Sequence, residues 1–204
     1  MHTKESQERL TPEAVRLLLQ EGNIRFLNNT PQKRNFINEV KQSSSGQYPV
    51  AAILSCIDSR TPAEIIFDQG LGDIFNIRIA GNIVNEDILG SMEFACKVAN
   101  AKLIVVMGHT KCGAITSAYN EFKMGFISNL LSKVQPAINM VKETKKQQDN
   151  VNDDLIENVI LNNIQLTIEQ IRNESKLLQE METSGHIRII GALYDIATGK
   201  VEFK

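Results

Sequence analysis

Apolar positions fall into short blocks whose spacing switches along the chain. Val50-Ala51-Ala52-Ile53-Leu54, within a strand expected over 50–55, is a run of strand length. Asp73 to Ile79 reads as a second strand. Leu103-Ile104-Val105-Val106-Met107 is continuous enough to be a third, buried on both faces. Helical patterns separate them. Thr11-Pro12-Glu13 offers an N-cap hydroxyl, a proline at the first helical position and an acid in the first turn, followed by Val15, Leu18, Leu19 and Phe26 at helical spacing. Asn28-Asn29-Thr30-Pro31 stops that helix, and the stretch through Ser43-Ser44-Ser45-Gly46 reads as polar connection. Thr61-Pro62-Ala63-Glu64 is a second helix start. Ile88, Leu89, Met92, Ala95 and Ala99 share one side of a third helix, and Pro136 is placed to restart another. Ile160, Ile164, Ile168 and Ile171 form one face of a long helix. Ile187 to Tyr194, the turn Thr198-Gly199 and Val201 to Phe203 read as a closing hairpin. Residues 1–10 are polar and read as a loose arm, and Lys142 to Asp154 as an exposed helix end and loop.

Strands alternating with helices predict an α/β fold: a central, mostly parallel β-sheet flanked by helices, with a C-terminal hairpin or edge strand. The 204 residues make one domain, 1–204, in which 1–35 forms an N-terminal helical arm. Lys+Arg 22 against Asp+Glu 24 gives a formal net charge of −2, which removes the positive excess of a typical nucleic-acid binder. No apolar run approaches the roughly 18 residues of a membrane span. The start MHTKESQERL has no apolar signal core, so a cytoplasmic location is expected. Three cysteines do not make a disulfide framework, and their spacing is to be read for metal or nucleophile chemistry.

Two polar clusters directly follow strands: Cys56-Ile57-Asp58-Ser59-Arg60 and Gly108-His109-Thr110-Lys111-Cys112-Gly113. Loops at the carboxyl ends of parallel strands face a crevice, so Cys56, His109 and Cys112 are expected to meet at one sheet edge. Two thiolates and an imidazole suit zinc, and three ligands leave one tetrahedral position open for chemistry. The plainer alternative is two unrelated loops with a buried thiol and a hydrogen-bonded histidine. Asp58 and Arg60, alternate residues of an extended segment, would share a face, where the carboxylate could orient a metal-bound water and Arg60 keep it ionised. Cys96 reads as a small core residue.

Cys-x-Asp-x-Arg followed by His-x-x-Cys resembles the β-class carbonic anhydrases. The likeness extends from Gly22-Asn23-Ile24-Arg25-Phe26 through Gly46-Gln47-Tyr48-Pro49 and Arg78-Ile79-Ala80-Gly81-Asn82 to Gly191-Ala192-Leu193-Tyr194-Asp195. The resemblance implies one zinc ion on Cys56, His109 and Cys112, and an orienting dyad of Asp58 and Arg60. It implies substrate contacts from Gln47, Phe75, Ala80, Phe94 and Gly113, with Phe94 standing where some members have a tyrosine. The reaction implied is reversible hydration of carbon dioxide to bicarbonate and a proton through zinc-activated hydroxide. The family's pocket lies at a dimer interface embraced by the N-terminal helix, so a homodimer or an assembly of dimers is expected. Some members bind bicarbonate at a regulatory site built on a tryptophan three residues before the first cysteine. Ile53 stands there, so that site is not expected in its usual form. His2 and His186 are proton-shuttle candidates by residue type alone. Two other functions fit parts of the pattern. Hydrolysis of carbon disulfide or carbonyl sulfide would use the same metal set, and a non-catalytic zinc module would need a closed metal site or a lost dyad.

Overall fold

The computed structural model describes residues 2–144 and 153–204. In chain order the elements are α1 (Lys4–Arg9), α2 (Pro12–Leu27), α3 (Phe36–Ser43), β1 (Ala51–Ser55), α4 (Ala63–Ile66), β2 (Ile74–Arg78), α5 (Glu86–Glu93), β3 (Leu103–His109), α6 (Gly113–Tyr119), α7 (Gly125–Ser132), α8 (Gln135–Thr144), α9 (Asp153–Glu174), α10 (Lys176–Thr183), β4 (Arg188–Tyr194) and β5 (Val201–Phe203). The strands form one sheet in the order β2-β1-β3-β4-β5. The first four are parallel, and β5 runs antiparallel to β4 as the predicted hairpin.

Every residue of β1 and β3 is buried, as their unbroken apolar runs require of strands covered on both faces. Alternate side chains enter separate cores. Ala52, Leu54, Ile104 and Val106 pack with Ile160, Ile164 and Ile168 of α9. Ile53, Leu103, Val105 and Met107 pack with Val15 and Leu19 of α2 and with Phe67. Register aligns the strand ends: Ser55 lies beside Arg78 and Met107, and His109 beside Tyr194. The loops after β1 and β3 therefore open from the same edge.

Several local expectations are corrected. Residues 4–9 are helical rather than loose, with Thr3 and Ser6 forming a reciprocal N-terminal cap. Gln7 is buried, and its Nε2 donates to the carbonyls of Pro49 (2.6 Å) and Ala99 (2.8 Å), tying the helix to the sheet's lower edge. The polar connection before β1 contains α3, whose Phe36, Ile37 and Val40 remain exposed. The helix over 86–99 ends in a wider turn at Phe94–Val98, in which Ala99 N donates to Phe94 O. Pro136 does sit in the first turn of α8. Of the polar stretch 142–154, residues 145–152 lie outside the described residues.

Candidate metal centre

The site begins where β1 stops. Cys56 follows Ser55 and is buried, whereas Asp58 and Arg60 lie in a turn closed by Thr61 N donating to Asp58 O at 3.0 Å. The expected extended segment is thus a turn, and it is the turn that brings Asp58 and Arg60 together. Arg60 N donates to Asp58 Oδ1 (3.0 Å), Arg60 Nε to the same oxygen (2.8 Å) and Nη2 to Oδ2 (2.7 Å). This two-pronged contact holds the Asp58 carboxyl well below the usual carboxylate range. Thr61 is not the N-cap of α4. Its hydroxyl turns back to the carbonyls of Cys56 (3.1 Å) and Asp58 (2.9 Å). Arg78, at the end of the neighbouring strand, also donates to those two carbonyls.

His109 is the last residue of β3, and Cys112 caps α6. Lys111 between them has φ +53°, a left-handed step that turns the chain back toward the sheet edge. His109 Nδ1 faces the Thr110 carbonyl at 2.9 Å, so a proton on Nδ1 leaves Nε2 with a free lone pair. Thr110 is itself held by the end of β4 and the turn after it: its N–H donates to Tyr194 O, and its hydroxyl accepts from Ile196 N.

The Cys56 and Cys112 sulfurs lie 4.0 Å apart, and with a His109 ring nitrogen all three atoms fall within 4.8 Å of one another. Zinc–sulfur bonds of about 2.3 Å in a tetrahedron would set the sulfurs about 3.8 Å apart, close to this spacing. His109 Nε2 is buried without a hydrogen-bond partner, a costly state unless the lone pair binds something. The two thiols also differ. A hydrogen bond from Cys112 pushes Cys56 downward, against its own burial and with help from His109 and the Gly81 and Asp58 backbone. The same contact and burial push Cys112 upward. The pair thus carries one negative charge readily, and a second only beside a cation. Donor type, spacing and the orphaned imidazole nitrogen all fit zinc. Cys96 stands apart, buried, with burial alone raising it to about 12.

The sequence expectations divide at this point. Cys56, His109, Cys112, Asp58 and Arg60 come together, with Asp58 Oδ2 4.0 Å from His109 Nε2. Gly113 begins α6 beside Cys112, with open space over its Cα. Ala80 begins the turn that meets the Cys56 sulfur through Gly81 N. The others lie in separate cavities. Gln47 lines a polar hollow with Ser43–Gly46 and Gly72, and Phe75 and Phe94 meet edge-on (6.4 Å) in another with Glu86 and Gly90. No candidate metal ligand lines either. An apolar cavity under Phe26, Phe36, Ile65 and Leu71 is likewise apart from the site. His2 lies near Asp73, and His186 Nδ1 contacts Ser184 Oγ (2.8 Å). The supporting roles of Thr61 and Thr110 were not read from the sequence. Thr61 resembled a helix cap, and nothing local marks a threonine whose carbonyl serves a histidine.

The sequence model of the carbonic anhydrase family matches residues 51–201. A carbonic anhydrase of Mycolicibacterium smegmatis is 32% identical over 199 residues, covering 95% of this chain and 93% of its own. Among solved structures, the β-carbonic anhydrase CcaA superposes with a TM-score of 0.75 at 24% identity, covering 94% of both chains. One of the tetrameric β-carbonic anhydrases of Sordaria macrospora gives 0.74 at 20% identity, covering 94% of this chain and 96% of its own. These two likenesses speak to the fold.

Proposed function

This chain belongs to the β-class carbonic anhydrase family, and from that membership we infer that it catalyses reversible hydration of carbon dioxide to bicarbonate and a proton, with one zinc ion on Cys56, His109 and Cys112. The observation that carries the metal assignment is the buried, unpartnered Nε2 of His109 facing two thiols. When bound, zinc supplies a Lewis acid that turns water into a nucleophile near neutral pH.

The chain's own residues account for orientation. Asp58, ionised and held by Arg60, offers only acceptor lone pairs, so a hydroxyl beside it would give Asp58 a hydrogen bond, keep its proton, and have its own lone pair turned toward the substrate carbon. A protonated Asp58 would donate instead and reverse that preference. Thr61 and Arg78 hold the Cys56 and Asp58 carbonyls and so fix the turn that presents the carboxylate. Carbon dioxide is small and uncharged, and apolar surface suits it better than ionic contacts do.

Gln47, Phe75, Ala80, Phe94 and Gly113 are assigned here to the substrate pocket, with Phe75 and Phe94 reaching it from a second copy of the chain. Their separation from Cys56 within one chain supports that reading, as does the exposure of Phe94 and Ile57. The assembly is accordingly a homodimer or a multiple of one, in keeping with the tetramers named among its structural neighbours. Among the described residues, no helix is long and apolar enough to cross a membrane.

Stopped-flow hydration assays with and without zinc test the reading. Metal removal and Cys112→Ser are expected to abolish turnover, and Asp58→Ala to lower it about 10- to 100-fold with zinc retained. Turnover that survives both metal removal and Cys112→Ser would overturn it.

A further inference from the structure

We propose that Asn163, on the long helix α9, is a positioning residue of the metal centre, acting through Gly81 on the sulfur of Cys56. It is neither a metal ligand nor within reach of substrate in this role. The inference rests on the metal assignment above, which zinc binding by the parent protein tests separately.

Asn163 is buried on a helix whose inner face is otherwise dominated by isoleucine. Its Nδ2 donates to Gly81 O at 2.9 Å, across 82 residues of sequence. Gly81 in turn donates its N–H to Cys56 Sγ at 3.4 Å. One glycine thus connects a helix on one face of the sheet to a thiolate at the sheet edge.

The turn bearing Gly81 does not hold its shape by local preference. Gly81 has φ +73° and Asn82 φ +43°, two successive residues in the left-handed region. For a residue with a Cβ this conformation costs about 1–2 kcal/mol. The turn is pinned by Ile79 N to Ser55 O (3.1 Å), by Asn82 N to Ile79 O (2.9 Å), and by Asn163 on the Gly81 carbonyl. Removing the Asn163 amide leaves a buried carbonyl unpaired, and that carbonyl regains a partner only if the peptide rotates. Such a rotation of the Gly81–Asn82 peptide swings the Asn82 N–H off the Ile79 carbonyl, opening the turn that aims the neighbouring Gly81 N–H at the sulfur.

The far end of the link is closely packed. Ile160 and Ile164 lie so close over β3 that a Cβ on Gly108 would come within 2.7 Å of Ile164 Cδ1. Gly108 immediately precedes His109, so α9 is seated against the strand that supplies the imidazole while Asn163 reaches the turn that serves the thiolate. Hydrogen bonds to a ligating sulfur orient it and temper its donation to the metal, and losing such a partner typically weakens metal binding about 10- to 100-fold.

The test measures zinc affinity of the full-length protein by competition with a chromophoric chelator, together with the thiolate-to-metal charge-transfer band of the cobalt-substituted protein. Asn163→Leu keeps the volume and loses the amide; Asn163→Ser is a smaller change should leucine prevent folding. Ile168→Val, on the same face of α9, is the control for simple loss of packing. Both Asn163 variants are expected to bind zinc about 10-fold more weakly and to shift the cobalt band, whereas Ile168→Val lowers the melting temperature and leaves both unchanged. Parent-like zinc affinity and cobalt band in the Asn163 variants, whatever their melting temperatures, would overturn the proposal. Equal weakening in Ile168→Val would overturn it too, because zinc affinity would then report only core stability.

Discussion

Arg60 has an exposed side chain, yet Asp58 depends on it. The Asp58 carboxylate accepts three hydrogen bonds from this one neighbour, and the guanidinium contacts are the largest cause of its lowered pKa. A carboxyl depressed in this way stays ionised from neutral pH down through the ordinary aspartate range, about pH 3.9. Asp58 therefore imposes no acid limb on activity in the working range. In Arg60→Gln the folded pKa rises toward its ordinary value or above, because desolvation is then opposed by fewer partners. We expect turnover about 10- to 100-fold lower in Arg60→Gln, with loss of kcat/KM on acidification beginning at higher pH than in the parent. A pH profile of the two zinc-saturated proteins checks this, and an unmoved acid limb would mean that Arg60 does not set the ionisation of Asp58. The residues of this dyad were legible in the sequence because they lie two positions apart. Their geometry was not, since a turn rather than an extended segment joins them. Gln7 and Asn163 were illegible for a different reason: their partners lie 42 or more residues away, and a buried amide leaves no periodic trace.

Among the elements, those with apolar periodicity were readable: β1, β3, α9 and the final hairpin lie where their patterns place them. Elements anchored by polar contacts were not. α1 rests on Gln7 and its cap, and α3 buries no residue at all. The same kind of polar anchoring occurs where α9, α10 and β4 meet. Ile189 lies beyond the reach of β5, which pairs only with Ala192, Leu193 and Tyr194. Its N–H donates instead to Glu182 Oε1 (2.9 Å), and its carbonyl accepts from Arg172 Nη2 (3.1 Å), so two side chains substitute for a missing strand. Arg172 and Glu182 are joined by Nε to Oε2 at 2.7 Å. Burial raises the Glu182 carboxyl, but the hydrogen bonds from Arg172 and Ile189 outweigh it and the net shift is downward. A depressed carboxyl stabilises the fold above its unfolded value, about 4.3, and that contribution is lost as pH falls through the lower folded value. Glu182→Gln is expected to cost about 1–2 kcal/mol near pH 7, allowing for solvent screening, and progressively less than that below about pH 4. Denaturation curves of parent and variant at both pH values read the difference. A gap independent of pH would show that the negative charge contributes nothing.

At the scale of the whole molecule, one chain gathers the metal donors but divides the residues assigned to the pocket. Cys56, His109 and Cys112 converge through parallel strand ends, whereas Phe75 and Phe94 face a different cavity near β2, which among the described residues has no partner strand on its outer side. Strand order brings ligands together within a chain, and sequence pattern conveys that order. It conveys nothing of a surface completed by another copy, because an interface residue resembles any other apolar residue until the fold leaves it exposed. Ile57, Phe94 and Val98 are such residues, each at least half exposed, with Ile57 next to a metal ligand and the other two on the turn that ends the helix through Glu93. Large apolar side chains left exposed on one turn, as Phe94 and Val98 are, mark a contact surface. If that surface belongs to a dimer, a charge placed on it should separate assembly from metal binding. Phe94→Glu is expected to shift the protein from dimer or tetramer toward monomer in light scattering coupled to size exclusion. It should keep one zinc per chain and lose most hydration activity, because on the proposed reading the metal donors lie in one chain and the pocket wall in two. A Phe94→Glu protein that retains both the parent's assembly and its turnover would remove Phe94 from interface and pocket together. Monomers with full turnover would show that each chain completes its own pocket, and the separation of Phe75 and Phe94 from Cys56 would then need an explanation within the single chain.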